Sequence, residues 1–164
     1  MILFHGTNQD IDSIDLTVGS QFKDFGQGFY LTPEKETAER MARKKASLFG
    51  GEPTVICYEF NLNAATESRL SIKQFPKKAT PEWIKFISAN RDRKQNHPVH
   101  QFDVVIGPIA DDGVVLQLTN YQNLILSPEE AAARLQDRFL NQQYYFGTPD
   151  SLMFLKKIQV WKLD

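Results

Sequence analysis

Phe25-Gly26-Gln27-Gly28-Phe29-Tyr30-Leu31-Thr32 places two glycines, two phenylalanines and a tyrosine in eight residues, directly before Thr32-Pro33. Glycine relaxes the backbone at an entropic cost, and aromatic rings offer flat stacking surfaces. The pattern reads as a flexible loop running into a short strand at Gly28–Leu31, with its backbone close to a planar ligand. Thr32 then suits a helix N-cap and Pro33 a first helical position. Ala38, Met41, Ala42 and Phe49 share one helical face, and Gly50-Gly51 ends the helix.

Outward from this stretch the elements alternate. Ile2–His5 reads as a strand, followed by a polar loop to Gly19. The run Thr54–Leu62 is apolar on both faces and belongs inside a sheet. Further strands are expected at Leu70–Ile72, Gln101–Ile106, Gln142–Phe146 and Ile158–Leu163. Helix starts recur at Thr80-Pro81, Asp111 or Asp112, Ser127-Pro128 and Thr148-Pro149, the third as a capping box. Trp83, Ile84 and Ile87 are an expected buried face, the next helix carries Val114, Val115, Leu118 and Tyr121, and the one after runs through Ala131, Leu135 and Phe139. Asn90–His100 reads as a polar loop. Without regular βαβ spacing, the order predicts an α+β fold around a mixed or antiparallel sheet, as one domain over residues 1–164.

A formal net charge of -1, with 41% hydrophobic and 24% charged residues, fits an ordinary globular chain and carries no overall basic field for nucleic acid. The lone cysteine, Cys57, lies in an apolar strand, where a thiolate is disfavoured and a structural thiol in a reduced compartment is expected. The N-terminal residues lack a basic signal-peptide region, and no run approaches the ~20 apolar residues of a membrane span. A soluble, cytoplasmic protein is expected.

Several chemistries have no sequence support. A GxxxxGK[ST] loop, a GxGxxG-to-helix turn, a GxSxG elbow and HExxH are all absent. His97 and His100, as H-P-V-H, offer too few ligands on too irregular a segment for a metal, so no metal is expected. His5, Tyr30 and Gln143 stand out by their setting: His5-Gly6-Thr7 after the first strand, Gly28-Phe29-Tyr30 before the first long helix, and Gln143-Tyr144-Tyr145-Phe146-Gly147-Thr148 on a late strand.

That order resembles the histidine–tyrosine–acid triad of the ADP-ribosyltransferase superfamily, in its diphtheria-toxin-like and poly-ADP-ribose-polymerase-like branch. The FHGT start, the DFGQGFYLT block, DVVIGPIADD and QYYFGT with its LMFLK helix are similar to a bacterial family of uncharacterised domains labelled DUF3990. The resemblance implies an ADP-ribosyltransferase-like split mixed β-sheet with peripheral helices, and NAD as substrate. In that scheme His5 bonds the adenosine ribose, the Gly6 backbone pairs with the nicotinamide amide, and Thr7 holds the adjacent ribose or phosphate. Tyr30 stacks on nicotinamide, Phe25 and Phe29 shape the pocket, and Gly28 lets the backbone approach.

His5, Tyr30 and Gln143 are the implied catalytic set, with glutamine where the best-known members carry glutamate. The implied activity is mono-ADP-ribosylation of a protein or nucleic-acid acceptor by a toxin or effector, with a cognate antitoxin as partner. The other reading is an inactive domain of the same fold that binds NAD or a macromolecule. Lys23 and Asp24, just before the loop, are placed to touch phosphates or a target.

Overall fold

The computed structural model describes residues 1–164 as seven strands and six helices in two sheets. Strands β1 (Ile2–Thr7), β3 (Thr54–Phe60) and β7 (Leu155–Lys162) form an antiparallel sheet in the order β1-β3-β7. Strands β2 (Phe29–Leu31), β6 (Gln142–Phe146), β5 (Val104–Pro108) and β4 (Ile72–Gln74) form the second sheet in the order β2-β6-β5-β4. Only the β4–β5 pair is parallel there.

The sheets face each other across a core of Leu3, Phe29, Leu31, Ile56, Phe60, Val104, Ile106 and Phe146. Alternation sends neighbouring residues of the same strands to the outer faces. Val55 meets Ala38 and Ala42 of α1 (Lys35–Phe49), while Val105 and Tyr145 pack toward α3 (Pro81–Arg91), α4 (Asp112–Gln122) and α5 (Pro128–Ala133). The result is a helix–sheet–sheet–helix stack, completed by the short helices α2 (Leu62–Glu67) and α6 (Pro149–Leu152). The α+β expectation holds. β3 does lie inside its sheet, and Cys57 on it is a buried free thiol.

One join connects the sheets. Phe4 and Thr32 exchange both backbone hydrogen bonds, at 2.8 and 2.9 Å, as an isolated antiparallel bridge between β1 and the end of β2. The bridge accounts for a failed cap. Thr32 spends its backbone on Phe4 and its hydroxyl donates to Glu34 Oε2 at 2.5 Å, so α1 begins at Lys35 with no side-chain cap. Thr80, Ser127 and Thr148 do cap their helices as predicted.

Other boundaries shift. Only Ala38 and Ala42 of the predicted α1 face are buried, because α1 lies on one sheet alone, and Phe49 projects into solvent. β3 ends at Phe60, where Asn61 caps α2 and takes Leu62 into the helix. The strand expected at Leu70–Ile72 is β4, displaced to pair with β5, which itself starts at Val104. α5 stops at Ala133, burying Leu135 just beyond it and leaving Phe139 exposed. Asn90 and Arg91 extend α3, and β7 starts three residues before the strand expected at Ile158. No helix is long and apolar enough to cross a membrane.

Candidate functional site

Beyond the Phe4–Thr32 bridge, β1 and β2 part, and His5 fills the parting. Its Nδ1 lies 2.7 Å from the Tyr30 carbonyl oxygen, which can only accept, so Nδ1 carries the proton and donates. Nε2 is then a bare acceptor and faces Lys45 Nζ at 3.5 Å. The imidazole stacks on Phe29 with centroids 4.4 Å apart. Burial and the charges of Lys45 and Lys23 outweigh the Tyr30 carbonyl and push its pKa down to about 3. At neutral pH His5 is an uncharged ring with both nitrogens engaged by the protein.

Gly6 carries α1. A Cβ there would run into the Ala38 carbonyl oxygen and the Ala42 backbone nitrogen, so only glycine lets the helix lie this close to β1. That approach brings Lys45 Nζ to 2.7 Å from the Gly6 carbonyl oxygen. Thr7 is 4% exposed at the end of β1, opposite Thr54.

The loop expected to be flexible is tied down at nearly every residue. The Tyr30 hydroxyl donates to the Gly26 carbonyl at 2.6 Å and accepts from the Phe25 N–H at 3.0 Å. His100 Nε2 donates to the Phe25 carbonyl at 2.7 Å, its Nδ1 accepts from the Phe102 N–H at 3.1 Å, and burial lowers its pKa. The Tyr145 hydroxyl donates to the Gln27 carbonyl at 3.0 Å. His100 is thus no solvated loop residue but a packed one, against Phe86, Phe102 and Tyr145. Gly28 does allow a close approach, to β6: a Cβ there would strike Tyr145 and the Phe146 carbonyl. Phe25 is fully buried among Phe75, Phe86 and Tyr145, and Phe29 belongs to the inter-sheet core.

Tyr30 opposes Tyr145 across the β2–β6 ladder, and Gln143 lies two residues along β6. Directly opposed residues share a face, and so do alternate ones. Gln143 therefore stands on Tyr30's face, whereas Gln142 turns away to the Lys77 and Leu140 carbonyls. The His5 ring lies toward the inter-sheet core. His5 and Tyr30 meet through the Tyr30 carbonyl, with their rings on opposite sides of β2.

Gln143 is 7% exposed. Its Nε2 donates to Asp24 Oδ2 at 2.7 Å and to the Pro108 carbonyl at 3.0 Å. Both partners can only accept, which fixes the amide and turns Oε1 away from them. Asp24 is also buried. It pairs with Arg91, whose terminal nitrogen is 2.7 Å from Oδ1 and whose Nε is 2.8 Å from it, and Oδ2 accepts from the Ala110 N–H at 3.0 Å. Asp24 therefore cannot reach a target in solution. It is an acid behind Gln143, donated by the loop instead of the strand. Its 67-residue separation from Arg91 left no sequence signal.

Lys23, next in the chain, takes the other side. Its Nζ lies over the Tyr30 ring, 5.1 Å from the centroid. Two open grooves lie elsewhere, one lined by Met1, Phe60, Leu62 and Phe154 and the other by Glu34, Lys77, Arg138 and Gln142.

Residues 1–157 match the family described as a protein of unknown function, DUF3990. No curated protein and no solved structure matches the chain.

Proposed function

The chain belongs to the DUF3990 family, and we propose that it is an NAD-dependent mono-ADP-ribosyltransferase with an ADP-ribosyltransferase-like split sheet. One observation carries the reading: the two sheets part where His5 meets Tyr30, and Gln143 shares the Tyr30 face with its amide nitrogen, not its oxygen, committed to Asp24 and Pro108. The Tyr30 ring already holds one cation, the Lys23 ammonium, on a face suited to the cationic nicotinamide ring. Lys23 swings aside when nicotinamide stacks there.

In the reaction, the bond between nicotinamide and the ribose anomeric carbon breaks, and its electron pair leaves with nicotinamide. The acceptor atom bonds to that carbon and releases a proton. Gln143 Oε1 accepts a hydrogen bond from the ribose 2′-hydroxyl, and Asp24 keeps the amide aimed. Gains of this kind come from orientation and fixed dipoles, not from a covalent intermediate. The acceptor is a protein side chain or a nucleic-acid base, and a toxin or effector role with a cognate antitoxin fits this chemistry.

One observation favours a second reading, a non-enzymatic NAD- or partner-binding domain: Gln143 is uncharged and Arg91 neutralises Asp24. Labelled NAD and cell lysate separate the two. The transferase releases nicotinamide and leaves label on a protease- or nuclease-sensitive acceptor, and Tyr30→Ala lowers the release at least tenfold. Thermal stabilisation by NAD without nicotinamide release establishes the binding domain and ends the transferase reading.

A further inference from the structure

Four lysines are less than fully exposed: Lys23, Lys45, Lys73 and Lys157. Two of them have carboxylate partners, Lys73 with Glu82 and Lys157 with Asp10 at 2.7 Å. Lys23 and Lys45 have none. The Lys23 charge is felt at Lys45, and both charges are felt at His5. Lys23 lies between the Tyr30 ring and the Gly19 backbone, where a Cβ on Gly19 would sit 2.9 Å from Nζ. Lys45 reaches from α1 to the Gly6 carbonyl and His5 Nε2. His5 Nδ1 holds the Tyr30 carbonyl, so both lysines adjoin one His5–Tyr30 unit.

Two ammonium groups drawn partly out of water around one His5–Tyr30 unit, without a counter-charge, are unfavourable unless an anion joins them. Burial and the Lys23 charge bring the Lys45 pKa down to about 8, and burial lowers that of Lys23. Both respond as cations lacking a partner. The nearest carboxylate in sequence, Asp24, is committed to Arg91, Ala110 and Gln143.

We propose that Lys23 and Lys45 form a binding site for a phosphate dianion at the parting of β1 and β2. Lysine suits phosphate as a point charge with rotatable donors. Lys45 has two of its three N–H groups turned to Gly6 and His5, leaving one for the ligand. Lys23 rotates from the Tyr30 face toward the anion and uncovers the ring. A ligand joining a flat group to a phosphate therefore gains both surfaces at once. The assignment stands on the lysine pair and does not require the transferase reading, although an NAD diphosphate would satisfy it.

Calorimetric titration of the whole chain with inorganic pyrophosphate, ADP-ribose and adenosine tests the site. Saturable binding of pyrophosphate is expected, weakened at least tenfold in Lys23→Met or Lys45→Met and lost in the double variant, with circular dichroism unchanged. Lys44→Met, an exposed neighbour on α1, retains wild-type affinity. Tighter binding of ADP-ribose than of pyrophosphate assigns the phosphate to a nucleotide, and the reverse order assigns it to the free anion. No pyrophosphate or ADP-ribose binding by the wild type, or wild-type affinity in the folded double variant, overturns the proposal. Phosphate binding without nicotinamide release from NAD leaves the lysine site and removes the transferase. Nicotinamide release unchanged in a double variant that has lost pyrophosphate binding leaves the lysine site and separates it from the transferase.

Discussion

Lys23 and Asp24 are neighbours in the chain, yet the two charge clusters they join are opposites. Around Asp24 every charge is answered: Arg91 on one oxygen, the Ala110 N–H and Gln143 on the other. Around Lys23, two lysines and a neutral histidine meet without any acid. A buried, saturated cluster fixes geometry, because each partner has one low-energy arrangement. An unsaturated one keeps free energy in reserve for whatever completes it. One backbone step across the sheet edge thus separates a part built to hold shape from a part left open to bind.

Breaking the saturated side gives the largest expected effect at neutral pH. Asp24→Ala leaves Arg91 without its partner and Gln143 without an acceptor, and should cost about 3 kcal/mol in urea unfolding. A loss below about 1 kcal/mol would mean that solvent around the partly exposed Arg91 replaces the carboxylate, and the contrast between the clusters would collapse.

Gln143→Glu is the sharper test, since it puts a carboxyl where the proposed function gives the amide oxygen its role. The introduced carboxyl would face Asp24 Oδ2 and the Pro108 carbonyl, both acceptors. A loss of about 2 kcal/mol at pH 7 is expected. Its folded pKa is raised, so the native state holds the extra proton and stability recovers as pH falls toward the carboxyl range. Unchanged stability at pH 7 would show that glutamine is not required by Asp24.

The last effect belongs to His5, on the unsaturated side, and it appears only as the pH falls below neutral. Its pKa falls from 6.5 in the unfolded chain to about 3 in the fold. The unfolded chain therefore takes up a proton first as pH drops below 6.5, and the stability contributed by neutral His5 is lost between there and pH 3. His5→Gln should flatten this part of the stability profile relative to the wild type. Parallel profiles would place the acid sensitivity in the carboxylates alone.

Much of the fold was legible because it rests on local rules. Thr80, Ser127 and Thr148 cap helices through contacts three residues away. Gln142–Phe146 ends in three aromatic residues that favour a strand, and β6 has the bounds expected. Thr32-Pro33 carries the same local signal and fails, because a strand 28 residues earlier claims its backbone. Met41 and Phe49 keep helical spacing but have no second layer to bury them. His5, Tyr30 and Gln143 were singled out from their order along the chain. The partners that restrain them were not: Arg91 and His100 read as polar loop residues, and each acts through a contact more than 60 residues away.

The sequence by itself determined the α+β class, the two-sided apolar strand β3, three of the helix caps and family membership over residues 1–157, all properties of spacing and local chemistry. Tertiary structure alone decided which charges are paired. Asp24 and Lys23 are equally polar in the chain and differ by one position. The turn before β2 seats one against Arg91 and lays the other over the Tyr30 ring. Charge complementarity acts over a few ångströms of space, and the distance between two residues along the chain carries no record of it.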